Sequence, residues 1–119
     1  IYNRCAIAAS EDSSDGIRIA TSQAADELLG IQGVDASFVI YAAGTGANIS
    51  ARSFGIMNVQ IIMEHLGGGG HQTMAAAQLK HITPEAVRSR IQTAIDQYRE
   101  AQKKSGLESE SEQKKKDKQ

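Results

Sequence analysis

Apolar and polar residues alternate in some stretches of the chain and recur every three to four positions in others. These two periods divide it into elements. Cys5-Ala6-Ile7-Ala8-Ala9 is an apolar run closed by Ser10 and an acidic cluster from Glu11 to Gly16, the pattern of a buried strand and a turn. From Ile17 to Leu29 the apolar residues Ile17, Ala20, Ala24, Ala25, Leu28 and Leu29 recur with a helical period, and Gly30 supplies a stop. Val34 to Ala43 is rich in β-branched and aromatic residues, with Val34, Ala36, Phe38 and Ile40 on one side of the pleat. Val39 and Tyr41 make the other side hardly more polar, so both faces of this strand are expected to be covered. Gly44-Thr45-Gly46-Ala47 reads as a turn, and Asn48 to Phe54 alternates again to complete a hairpin.

Asn58 is a good N-cap, and Val59, Ile62, Met63 and Leu66 follow as the stripe of a short amphipathic helix. Four consecutive glycines, Gly67 to Gly70, end it and are followed by His71. Thr73 to Leu79 is small and apolar and predicts another strand. Thr83-Pro84-Glu85 opens a last helix, with Thr as cap, Pro at the first helical position and a carboxylate at the positive end of the dipole. Its stripe is Val87, Ile91, Ile95 and Tyr98, and it is expected to reach about Lys104. Four apolar positions suit either packing on one sheet or a homodimer contact. The predicted fold is α/β, a single domain with a mixed β-sheet flanked by helices. It is expected to occupy 1–105, with 106–119 a disordered charged tail.

Composition narrows the function. The chain has 119 residues, 40% hydrophobic and 4% aromatic, enough for one core. Thirteen Lys+Arg against fourteen Asp+Glu give a net charge of −1, which argues against holding long nucleic acid by charge alone. A single cysteine fits a reducing compartment. No apolar stretch approaches the roughly twenty residues of a membrane span, so the segment itself is expected to make no membrane contact. Position 1 is Ile rather than Met, which predicts a piece of a longer protein.

One glycine suffices to cap a helix, and each further one adds conformational entropy that folding must remove. The run therefore suggests a backbone that a ligand approaches closely, with amide N–H groups aimed at a phosphate. A flexible connector is the plainer alternative. No Gly-Lys-Ser/Thr follows, and the run closes a helix, so it is neither a Walker loop nor a dinucleotide fingerprint. His71 adds a donor. Arg52, in the strand Ile49-Ser50-Ala51-Arg52-Ser53-Phe54, shares a face with Ser50 and Phe54 and is a natural clamp for phosphate oxygens, though a solvent-facing strand arginine is common. The expected binding set is Arg52, Ser53, Gly67, Gly68, Gly69, Gly70 and His71.

The order Ile-Ser-Ala-Arg-Ser, helix, Leu66-Gly67-Gly68-Gly69-Gly70-His71, then Ala75-Ala76-Ala77 resembles the DHH-associated domain of DHH-family phosphoesterases. The longer stretches Ala24-Ala25-Asp26-Glu27-Leu28-Leu29, Ala36-Ser37-Phe38-Val39-Ile40 and Asn58-Val59-Gln60 resemble the GdpP-type cyclic-di-AMP phosphodiesterase branch. The resemblance covers about residues 4–100. It implies that a preceding DHH domain in the same parent chain holds two divalent metal ions, usually manganese, while this domain contacts the substrate phosphate through the glycine loop, His71 and Arg52. It also implies a bacterial parent anchored in the membrane with this domain on the cytoplasmic side. Many relatives carry Ala-Ala-Gly after the histidine where this chain has Ala75-Ala76-Ala77, a departure that bears on the packing of that strand.

No Asp-His-His and no Asp-x-Asp occurs in the chain. His65 and His81 are expected to be structural or exposed, Asp12 and Asp15 to belong to an acidic turn, and Cys5 to be a buried small hydrophobe. A two-metal hydrolysis needs several converging ligands, so the fragment alone is expected to bind and not to cut. Three readings stay open: a cyclic dinucleotide phosphodiesterase, the same domain acting on short single-stranded oligonucleotides, and a non-catalytic nucleotide-binding module.

Overall fold

A computed structural model describes the backbone of Tyr2, 4–10 and 17–117, with side chains described for Tyr2, 4–10 and 20–104. The acidic turn expected at Asp12 and Asp15 lies outside these residues. The elements are β1 (Cys5–Ser10), α1 (Ile17–Leu28), β2 (Ala36–Ala43), β3 (Gly46–Ser53), α2 (Val59–Glu64), β4 (Gly69–Gly70), β5 (Met74–Leu79) and α3 (Pro84–Asp117). They form one five-stranded mixed sheet in the order β1-β2-β3-β5-β4.

β1 and β2 are parallel, a pairing that requires a crossover, and α1 lies in the connection between them. β2 and β3 form the predicted hairpin, with Ala43 opposite Gly46 and only Gly44 and Thr45 between them. Gly44 has φ +58°, as a primed turn demands of its first central residue. Gly46 is required for contact instead: a Cβ there would sit 1.9 Å from the Leu79 carbonyl oxygen on β5.

Period-two alternation sorts the strands into two faces. Phe38, Ile40, Ile49, Ala51, Ala75 and Ala77 point to one face, where α2 supplies Val59, Ile62 and Met63, and α3 supplies Val87, Ile91, Ile95 and Tyr98. The α3 stripe is thus consumed by the chain's own core. Each of the larger side chains, such as Phe38 and Ile49, contributes about 1.5–3 kcal/mol by leaving water. α1 covers part of the opposite face, where Ala6, Leu29 and Val34 cluster and Ser37 Oγ donates to the Ala25 carbonyl at 2.6 Å. α1 packs against β2 and β3, whereas Met74, Ala76 and Gln78 of β5 are exposed on this side. The result is a half-covered sheet face.

The caps match their sequence signals. Asn58 Oδ1 accepts from the Gln60 and Ile61 amides, and Thr83 Oγ1 accepts from the Ala86 amide. α3 is longer than its stripe predicts. Its backbone is helical to Asp117, beyond the predicted end near Lys104 and into the segment expected to be a disordered tail. Past Gly106 the sequence is dominated by Glu, Gln, Lys and Ser, of which Glu, Gln and Lys are good helix formers.

Candidate functional site

The uncovered sheet face forms the floor of a cavity of about 390 Å³. Its lining includes Arg52 from β3, Gly69 and Gly70 from β4, and His71 directly after them. Strand register explains the gathering. Arg52 pairs with Met74 of β5, and Met74 exchanges backbone hydrogen bonds with His71 at 2.6 and 3.3 Å. Arg52 and His71 therefore flank Met74 in one row across the sheet, about 9–10 Å apart at the backbone from two strand spacings. Nineteen residues of sequence separate them.

The Arg52 side chain is 12% exposed. Its Nη1 donates to the Ala51 carbonyl at 2.8 Å, and its Nε lies 3.3 Å from Asp26 Oδ1 on α1. The Nε–H is not directed at that carboxylate, so this buried nitrogen has a charge partner but no hydrogen bond. His71 is exposed, and its imidazole makes no hydrogen bond to the described residues.

The glycine run departs from the expected row of open amides. The Gly67 amide donates to Glu64 O at 3.1 Å and the Gly68 amide to Met63 O at 2.8 Å, the bond pair of a Schellman helix end around Gly67 at φ +82°. The His71 amide is taken by Met74 O. Antiparallel alternation from the bonded His71–Met74 pair gives the Gly69 amide to the ladder with Ala76 and turns the Gly70 N–H away from β5, toward the open edge. Two of the glycines permit close approach of protein, not ligand. A Cβ on Gly68 would lie 2.1 Å from Ala76 O, and one on Gly70 would lie 2.6 Å from Ala75 Cα. The Cβ of Ala77, the departure noted in the sequence, would lie 2.7 Å from a Gly68 Cβ, so the bare Gly68 backbone is what accommodates it. Gly67 and Gly68 line a separate shallow hollow with Gln78 rather than the Arg52 cavity.

Ser53 also corrects the expected set. Period two turns it to the face opposite Arg52, where it is buried, donates from Oγ to Gln72 O at 3.1 Å and accepts from the Gly55 amide at 3.2 Å. Its own amide donates to Thr73 O, and the Val59 amide donates to Gln72 O. Ser53 thus ties the turn after His71 to the end of β3, beside Arg52. It positions the site without lining it.

Several lining residues were not singled out in the sequence: Asn48, Ser50, Gln78, Tyr41 and Ser22. The signal was present in the alternation of Asn48-Ser50-Arg52 and Met74-Ala76-Gln78, but only the strand order puts the two sets side by side. The remaining histidines lie apart from the cavity. His65 is exposed at the end of α2, and His81, at φ +56°, pairs through Nδ1 with Thr45 Oγ1 at 3.2 Å. Among the described residues no group of three His, Cys, Asp or Glu could hold a metal ion, so these residues do not fit a metal centre. Cys5 is fully buried, its Sγ 3.5 Å from Met57 Sδ, and burial pushes its thiol up to about 11.

The family model for the DHHA1 domain matches residues 4–103. The chain belongs to the DHHA1 family. It is 48% identical over 99 residues to the cyclic-di-AMP phosphodiesterase GdpP of Geobacillus thermodenitrificans, covering 82% of this chain and 15% of that protein. It is 46% identical over 98 residues to the cyclic-di-AMP phosphodiesterase PdeA of Listeria monocytogenes, again 82% and 15%. This DHHA1 domain therefore spans a small part of the curated relatives it matches. An exopolyphosphatase-related protein from Bacteroides fragilis shares the fold, with a TM-score of 0.70 at 21% identity over 87% of this chain and 32% of that one.

Proposed function

We propose that this DHHA1 domain is the substrate-binding half of a metal-dependent cyclic-di-AMP phosphodiesterase, with the phosphate held by Arg52, His71 and the Gly69–Gly70 edge. The observation that carries the reading is the gathering of a mostly enclosed guanidinium, an exposed imidazole and the Gly69–Gly70 strand around one cavity. Identity of 46–48% to two proteins named as cyclic-di-AMP phosphodiesterases supports cyclic-di-AMP as the substrate.

With Nη1 on Ala51 O and Nε beside Asp26, Arg52 keeps its remaining N–H groups for an anion. A charge-assisted bond of this kind contributes about 1.5–3 kcal/mol. His71 donates from the far side of the row, and the Gly70 N–H adds a neutral donor at the rim. Among the described residues no group of three His, Cys, Asp or Glu could hold a metal ion. In this reading the two divalent ions, manganese, are held by a DHH domain of the parent protein. No helix among the described residues is long and apolar enough to cross a membrane. In this reading the parent carries the membrane anchor and this domain lies on the cytoplasmic side.

The test is hydrolysis of cyclic-di-AMP by the full-length protein with manganese. Arg52→Ala and His71→Ala are each expected to lower kcat/KM by about tenfold or more, from the loss of one charge-assisted contact, with bound metal unchanged. Full activity in both variants overturns the reading. Assays with a linear dinucleotide and a short oligonucleotide in parallel identify the substrate, and faster cleavage of the oligonucleotide would replace cyclic-di-AMP.

A further inference from the structure

The phosphate contacts occupy one end of the cavity, and its other end has a different chemistry. Strand pairing lays three rows across the open sheet face. Arg52, Met74 and His71 make the first. Ser50, Ala76 and Gly69 make the second, and Tyr41, Asn48 and Gln78 make the third. Asn48 lies four residues from Arg52 along β3, and Gln78 four from Met74 along β5, about 13 Å at the rise of a strand. The middle row is small and flat. The far row presents two carboxamides side by side.

We propose that Asn48 and Gln78 read the base of a bound nucleotide and select adenine. This rests on the phosphate reading above and extends it to the opposite end of the same cavity. An exposed glutamine on a strand is usually only solvated. Here three observations point further. Gln78 is directly paired with Asn48 across β3 and β5, both line the cavity, and the Gln78 carboxamide makes no hydrogen bond to the described residues. Asn48 is half-buried, and its Nδ2 donates to the Tyr41 hydroxyl at 3.3 Å. That bond engages one Nδ2 proton and leaves Oδ1 available as an acceptor.

The chemistry discriminates. A carboxamide offers one acceptor and one donor together, matching the N6 donor and N7 acceptor of adenine. Guanine presents acceptors at both O6 and N7, so the carboxamide oxygen would face another oxygen with no proton between them. Ser50 and Ala76 leave the space between phosphate and base free for a sugar.

The experiment compares kcat/KM of the full-length protein for cyclic-di-AMP and cyclic-di-GMP. Wild type is expected to favour the adenine substrate. Gln78→Ala is expected to shrink that preference by about tenfold, the scale of one bidentate contact, and Asn48→Ala by about fivefold, the scale of one lost acceptor, each through loss on the adenine substrate. Arg52→Ala should lower both substrates alike. Gln78 is exposed, so its variant keeps the fold, and thermal unfolding checks this for both variants. An unchanged preference in the two variants overturns the inference, as does a wild type that prefers neither base. If Arg52→Ala has no effect on either substrate, it is the phosphate reading that falls.

Discussion

Asp26 Oδ1 and Arg52 Nε lie 3.3 Å apart, joining the last turn of α1 to the face of β3 that it half covers. The carboxylate is 66% exposed, whereas the guanidinium is 12% exposed. The pair is therefore asymmetric, with a solvated anion holding a mostly enclosed cation in place. Asp26 acts through Arg52, as a positioning residue that limits the rotamers a long side chain would otherwise sample.

In the full-length protein, Asp26→Ala is expected to raise KM for cyclic-di-AMP about 2- to 5-fold with little change in kcat, since exposed pairs contribute about 0.2–1 kcal/mol. Asp26→Glu should restore most of the affinity. Steady-state kinetics on the two variants checks this, and an Asp26→Ala protein that binds as tightly as wild type removes the role.

The glycines separate into those that meet protein and those that meet solvent. Gly68→Ala would drive a methyl into Ala76 O and Ala77, and thermal unfolding should show a loss of about 1–3 kcal/mol. Gly69 has nothing within 4 Å of an added Cβ, so Gly69→Ala should change stability by less than about 0.5 kcal/mol. Because Gly69 lines the cavity, that variant should weaken nucleotide binding while remaining folded. Equal loss of stability in both variants would contradict this division.

Asp35 joins the start of β2 to the residue before β1 and to α3. It accepts from Arg4 Nε at 3.0 Å and Nη2 at 3.1 Å, and from Arg99 Nη2 at 3.2 Å. The Arg4 bonds hold its carboxyl below the usual range against the opposing effect of burial, and Arg99 adds to them. A depressed folded pKa means that the stabilising contribution is complete above the unfolded value of about 3.9 and is lost as pH falls through the folded one. Denaturant unfolding should find Asp35→Asn less stable than wild type by about 1–2 kcal/mol near pH 7. The gap should close progressively below about pH 4. A gap independent of pH would show that the charge is not what Asp35 supplies.

Cys5 should be inert while the protein is folded. With the thiol pushed up to about 11, the thiolate fraction at pH 8 is about one in a thousand, and the sulfur is fully buried. Iodoacetamide should label the native protein slowly and the unfolded protein readily, followed by mass spectrometry. Rapid native labelling would mean that β1 opens easily from α3 and Met57.

Local chemistry determined the elements. Alternation sorted β2 and β3 into two faces and placed Phe38, Ile40 and Ile49 together on the one that meets the main core. Asn58 and Thr83 announced their helices because caps act within three residues, and Gly67 announced an ending for the same reason. The phosphate-binding candidates Arg52 and His71 were visible as residue types in an unusual setting. What tertiary structure alone decided is how these pieces lie beside one another. Insertion of β5 between β3 and β4 put Arg52 and His71 in one row, paired Asn48 with Gln78, and closed off the space a side chain would need at Gly68 and Gly70. It also turned Ser53 from an expected ligand into the anchor of the His71 turn. Periodicity and capping report forces that act over one turn or one pleat. Strand order and register arise from pairing between segments tens of residues apart, and no local pattern in the chain encodes them.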